Sequence, residues 1–143
     1  SLNQEYDVLR NLIIPNLLKI LSKNKHNEYP QNIFEIGNTF KKGKSETNVE
    51  ENYNLAVMLC HSKADFTQIK QILSSLLSSL NLKYEIEELE HESFISGRCG
   101  MIKINNKEIA YIGEINPKVL NNFNLDLPIS CFELNLNELL KLI

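Results

Sequence analysis

The side chains able to do chemistry in this sequence are few, and their spacing limits what that chemistry can be. His26, His61 and His91 share no spacing with one another, or with Cys60, Cys99 and Cys131, that sets two ligands on one element. A local zinc site is therefore not encoded, and the histidines read as surface or core residues. Cys60-His61 places a thiol beside a base. Neighbours on a strand point to opposite faces, which removes a nucleophilic dyad. The three cysteines are scattered and lie in apolar settings, as buried reduced thiols do. Gly97-Arg98-Cys99-Gly100 has two glycines but no G-x-x-x-x-G-K-[ST] pattern, and it leads into a strand, so it is not a phosphate cradle. Lys41, Lys42 and Lys44 could meet phosphate, yet they share their stretch with Glu46, Glu50 and Glu51 and no aromatic lies among them to stack on bases. They read as solvated, and an RNA contact there would be steeply salt-dependent. Only two arginines are present, Arg10 and Arg98.

The elements that position these residues follow from periodicity. A chain of 143 residues, 43% hydrophobic and 23% charged, is of the size and composition of one globular domain spanning 1–143. Fifteen basic against 18 acidic residues leave a net charge of −3, which disfavours a bare nucleic-acid binder. No apolar run reaches the roughly 18 residues of a membrane span, and the chain reads as cytoplasmic. Leu9, Leu12, Ile13, Leu17, Ile20 and Leu21 have helical spacing, which predicts a helix from near Asn11 to between Lys23 and His26, with Pro15 in its first turn. Strands are predicted over Asn32–Phe40 and Tyr53–His61, with Gly37 marking a bulge or close approach and a polar exposed loop over 41–52. Asp65 caps a second helix carrying the stripe Phe66, Ile69, Ile72, Leu73, Leu76, Leu77 and Leu80.

Tyr84, Ile86 and Leu89 alternate with glutamates as a charged edge strand does. Arg98–Ile104 and Lys107–Ile115 form a hairpin about Asn105-Asn106. Asn116-Pro117 starts a short helix through Phe123, a strand follows over Ile129–Leu134, and Asn135 caps a last helix through Leu142. Strands in runs between helices predict an α+β domain on a mostly antiparallel sheet flanked by helices. The 19 asparagines are spread along the chain and read as compositional bias. From the residues alone, the reading stops at an α+β domain without a visible catalytic centre.

Six ordered blocks carry a resemblance. Glu5-Tyr6-Asp7-Val8-Leu9-Arg10-Asn11-Leu12-Ile13-Ile14-Pro15-Asn16-Leu17-Leu18 is followed by Phe34-Glu35-Ile36-Gly37-Asn38-Thr39-Phe40, Asp65-Phe66-Thr67-Gln68-Ile69-Lys70 and Gly97-Arg98. Ile112-Gly113-Glu114-Ile115-Asn116-Pro117-Lys118-Val119-Leu120 and Pro128-Ile129-Ser130-Cys131-Phe132-Glu133-Leu134 complete the set. Together they resemble the C-terminal catalytic-like domain of phenylalanyl-tRNA synthetase β subunits of the archaeal and eukaryotic type, with Asn116 standing where that family usually has His. The resemblance implies a class II aminoacyl-tRNA synthetase-like fold and a C-terminal fragment of a longer β subunit.

It also implies the location of the chemistry. Class II enzymes use an aromatic-Arg-x-Glu strand end and a G-x-G-x-x-R motif, whose arginines meet polyphosphate as planar, permanently charged forks. The corresponding stretches are Phe40-Lys41-Lys42-Gly43 and Cys131–Asn137, which lack those arginines. The expectation is a pseudo-catalytic domain with no catalytic, cofactor or metal residues of its own. ATP and Mg²⁺ would bind the α subunit of a heterotetramer that charges tRNA(Phe), with no membrane partner. Leu12, Ile13, Leu17, Ile20, Phe34 and Ile36 are the candidates for contact with the α subunit. Arg10, Lys41, Lys42 and Arg98 are the candidates for phosphate or tRNA contact. A free-standing relative that binds an amino acid or nucleotide as a regulatory module is the alternative.

Overall fold

The computed structural model describes residues 12–42 and 49–143. Helix α1 (Ile14–Lys23) leads to β1 (Gln31–Lys42), β2 (Val49–Cys60), α2 (Phe66–Ser79), β3 (Glu85–Glu88), β4 (Phe94–Ile104) and β5 (Lys107–Ile115). Then come α3 (Pro117–Asn122), β6 (Ile129–Asn135) and α4 (Leu136–Leu140). The six strands form one sheet in the order β1-β2-β6-β5-β4-β3, and every neighbouring pair is antiparallel. The α+β architecture read from the sequence is the one observed.

Strand alternation divides the core into two layers. Ala56, Met58, Cys60, Ile129 and Cys131 face α1 and α3, and pack with Ile14, Leu17, Leu18 and Leu21. Leu59, Ile112, Phe132 and Leu134 face α2 and α4, and pack with Ile69, Leu73 and Leu77. Phe132, wholly buried, sits on the central strand β6. The buried thiols are core residues, as read from their settings.

Asparagine does more than bias the composition. Asn81, Asn105, Asn106 and Asn124 all hold positive φ, a region that asparagine tolerates better than most residues. The pair Asn105-Asn106, at φ 50° and 66°, makes the β4–β5 turn as predicted. Asn116 and Asn135 cap α3 and α4 by accepting from the N–H groups of Lys118 at 3.0 Å and Glu138 at 3.1 Å. Asp65 caps α2 through the N–H of Gln68 at 2.9 Å.

Three boundaries differ from expectation. The hairpin of β1 and β2 continues in register to Lys42 opposite Val49, so residues 41–42 and 49–52 belong to strands rather than to a polar loop. A backbone ladder needs no apolar alternation, and a sequence pattern therefore underestimates a polar hairpin tip. Helix α1 starts at Ile14, which places Pro15 in the first turn. The predicted start at Asn11 lies outside the described residues. Strand β4 begins at Phe94 rather than Arg98 and is interrupted, since the four residues between Phe94 and Cys99 run against the single residue between Ile115 and Gly113. This bulge holds Gly97 at φ +79°.

Close approaches explain two further glycines. At Gly37 a Cβ would sit 3.3 Å from Ile13 Cδ1, the tight contact between α1 and β1 that the sequence suggested. At Gly113 a Cβ would lie 2.7 Å from Cys99 Cβ and 2.8 Å from Phe94 Cδ1. Gly113→Ala is accordingly expected to lower stability by about 1–3 kcal/mol through overpacking, read as a lower urea midpoint with an unchanged slope.

Candidate interaction surface

The two edges of the sheet are finished differently. Strand β3 is four residues long and acidic, with Glu87 ion-paired to Lys103 of β4, which blunts it against strand addition. Strand β1 is twelve residues long and has β2 on one side only. Its alternation sends Ile33 and Glu35 toward α1, where Asn16 Nδ2 donates to Glu35 Oε1 at 3.1 Å. Phe34 and Ile36 consequently project from the other face. There the covering helices α2 and α4 pack on β2, β5 and β6. Phe34 is 71% exposed and Ile36 58%, opposite Val57 and Leu55, and Tyr53 is 49% exposed on the same face of β2. Three large apolar side chains on one uncovered sheet edge form a surface suited to a macromolecular partner.

The predicted contact residues separate on this geometry. Phe34 and Ile36 lie together on the uncovered face, and Ile20 is 38% exposed on α1. Ile13 and Leu17 are buried in the core beside α1, so they hold this domain together and are not offered to a partner. Leu12 is half-buried against the same cluster. Arg10 lies outside the described residues, as do the side chains of Lys41 and Lys42. Arg98 forms an ion pair with Glu114, Nη1 to Oε1 at 3.1 Å. Tyr53 was missed because alternation groups it with Leu55 and Val57, which pack against the core, and does not show that the face is open at its end.

Two buried carboxylates were also missed, and they fix the helices to the sheet. Glu133 is 2% exposed on β6. Its Oε1 accepts from the backbone N–H groups of Ile13 at 2.7 Å and Ile14 at 2.9 Å, and its Oε2 from Asn54 Nδ2 at 2.7 Å. Helix α1 has no side-chain cap of its own, since Ile13 occupies that position. A carboxylate 120 residues away in sequence therefore does the capping. Burial pushes the Glu133 carboxyl above its ordinary pKa, against the opposing pull of these three donors. The signal available in the sequence was a lone acid between Phe132 and Leu134 on an otherwise apolar strand. Glu114 does the corresponding job for α2, its Oε2 accepting from the N–H of Phe66 at 3.0 Å.

Burial raises the Cys60 thiol to about 11 and raises Cys131 as well, so both are protonated and inert at neutral pH. Among the described residues, no three His, Cys, Asp or Glu side chains gather as a metal site requires. No described helix is long and apolar enough to cross a membrane.

The architecture occurs in a solved tRNA synthetase. The structure of the pyrrolysyl tRNA synthetase PylSc of Desulfitobacterium hafniense covers 93% of this chain and 49% of its own, with a TM-score of 0.73 at 18% identity. The sheet and its helices thus form a tRNA synthetase-type fold. The particular family follows from sequence. A family model described as the phenylalanyl tRNA synthetase beta chain CLM domain matches residues 1–136, and the chain belongs to that family.

Similar proteins carry the same name. The phenylalanine–tRNA ligase beta subunit of Thermococcus onnurineus is 43% identical over 142 residues, 98% of this chain and 25% of its own length. That of Pyrococcus abyssi is 46% identical over 138 residues, 96% of this chain and 25% of its own. That of Methanocella arvoryzae is 38% identical over 139 residues, 95% of this chain and 25% of its own. The chain therefore spans about a quarter of the length of these relatives.

Proposed function

We propose that this chain is a non-catalytic domain of the β subunit of a cytoplasmic phenylalanine–tRNA ligase and supports the catalytic α subunit. The assembly would be a heterotetramer that attaches phenylalanine to tRNA(Phe) with ATP. The observation that carries this reading is the uncovered apolar edge of Phe34, Ile36 and Tyr53 on a sheet whose central strands are packed by helices on both faces. Adenylate chemistry needs fixed cations over the polyphosphate. Of the two arginines, Arg98 is held by Glu114, and neither falls at the stretches where the class II motifs would place theirs. In this reading ATP and Mg²⁺ belong to the α subunit, and the β domain contributes a rigid face.

Calorimetric titration of the full-length β chain tests both halves of the reading. ATP with Mg²⁺ is expected to give no saturable heat, and the α subunit is expected to give a strong one. Saturable ATP binding by the β chain would favour a nucleotide-binding module. Absence of heat with the α subunit would overturn the supporting role.

A further inference from the structure

The bulge in β4 opens a groove on a different part of the molecule from the β1 edge. The groove has a volume of about 450 Å³ and runs between the bulge, the end of β5 and the segment from α3 to β6. That volume is in the range of small-molecule sites. Its lining is mixed, with the apolar side chains Ile95, Ile115, Leu120 and Leu125 beside the polar Arg98, Glu114, Asn121 and Asp126. Arg98 is its cationic side chain, and three observations set that side chain apart from a solvated surface arginine.

First, the bulge and the positive φ of Gly97 place Arg98 where a regular ladder would not, which is a common use of bulges beside binding sites. Second, Arg98 is tethered by Glu114, itself part of the groove lining, whose other oxygen is held by the first N–H of α2. The arginine is thus oriented before any ligand arrives. Third, the two partners are unequally exposed: the Arg98 side chain is 61% exposed and that of Glu114 11%. Glu114 engages one N–H of the guanidinium, and the outward edge keeps donors for a second anion in fork geometry. Of the two carboxylates in the lining, Glu114 is taken by Arg98 and Asp126 is paired with Lys25 at 3.1 Å.

We infer that this groove binds a small apolar carboxylate, with the carboxylate on the outer edge of Arg98 and the apolar body along Ile95, Ile115, Leu120 and Leu125. A preoriented guanidinium beside a row of apolar side chains discriminates by charge and by apolar bulk together. A carboxylate matches both, whereas its neutral amide matches the walls only.

The test uses the full-length β chain without the α subunit and a plain pair of probes, 3-phenylpropionate and 3-phenylpropanamide, followed by equilibrium dialysis and saturation-transfer NMR. The acid is expected to bind saturably and the amide at least about tenfold more weakly, the scale of one charge-assisted contact. Arg98→Met is expected to weaken the acid about tenfold or more and to leave the amide unchanged. Asn121 is exposed on the groove rim. Asn121→Trp leaves the ion pair intact and is expected to block both probes, so the proposal stays testable if Arg98→Met impairs folding. Absence of binding, equal binding of acid and amide, or equal binding to the wild type and Asn121→Trp would overturn it.

Discussion

Glu133→Ala is expected to release helix α1 from the sheet and cost about 3–5 kcal/mol. The carboxylate is the partner of three donors, the N–H groups of Ile13 and Ile14 and the amide of Asn54. A buried donor left unsatisfied costs about 1–3 kcal/mol. Removing one member of a buried charged network commonly costs about 3–5 kcal/mol in all, because the partners remain buried. Hydrogen exchange on the full-length chain should show lost protection over Ile14–Lys23, with the layer of α2 and Phe132 less affected. Glu133→Gln should keep most of the stability. Its oxygen can still accept from Ile13 and Ile14, and Asn54 Oδ1, buried without a partner, can accept from the new amide once the Asn54 side chain rotates.

The same residue sets a pH dependence. Burial raises the folded pKa of Glu133 above the unfolded value of about 4.3. The folded state therefore holds that proton more tightly than the unfolded chain does. The stabilisation it brings is complete below about pH 4.3 and is lost as the pH rises through the folded value. Glu133→Gln is neutral throughout and should flatten this contribution. An unchanged pH profile in that variant would show that Glu133 does not titrate in the folded chain, and equal loss of α1 protection in Ala and Gln variants would refute the capping role.

The second large effect is on assembly. Phe34→Asp with Ile36→Asp should leave the fold near wild-type stability, since both side chains are more than half exposed. Binding of the α subunit should fall about 100-fold or more. Two apolar anchors are lost, and two charges would have to be desolvated at the contact. Asn32→Asp, on the same exposed row of β1, adds charge without removing apolar area and should change affinity much less. Native mass spectrometry of the full-length subunits reads the result as the fraction assembled at fixed concentration. Normal assembly of the double variant would move the contact elsewhere, and equal loss with Asn32→Asp would reduce the effect to charge alone.

What the sequence determined by itself was local and periodic. The α2 stripe, the Asp65 cap, the Asn105-Asn106 turn and the Asn116-Pro117 helix start are decided by residues within a few positions of one another. Backbone preference and near-neighbour hydrogen bonds suffice for them. The charged β3 edge was legible for the same reason. Family membership was legible too, because six ordered blocks survive independently of how they pack.

Tertiary structure decided what depends on distant pairing. Helix α1 begins where it does because a carboxylate on the last strand meets its first amides, a contact spanning 120 residues. Period-two alternation told that Phe34 and Ile36 share a face of β1, but not that α2 and α4 would stand over β2, β5 and β6 and leave that face open. The same helical spacing that marked Ile13, Leu17 and Ile20 as one stripe could not separate the buried pair from the exposed one. That separation depends on where the sheet ends beneath the helix, which only the strand order β1-β2-β6-β5-β4-β3 fixes.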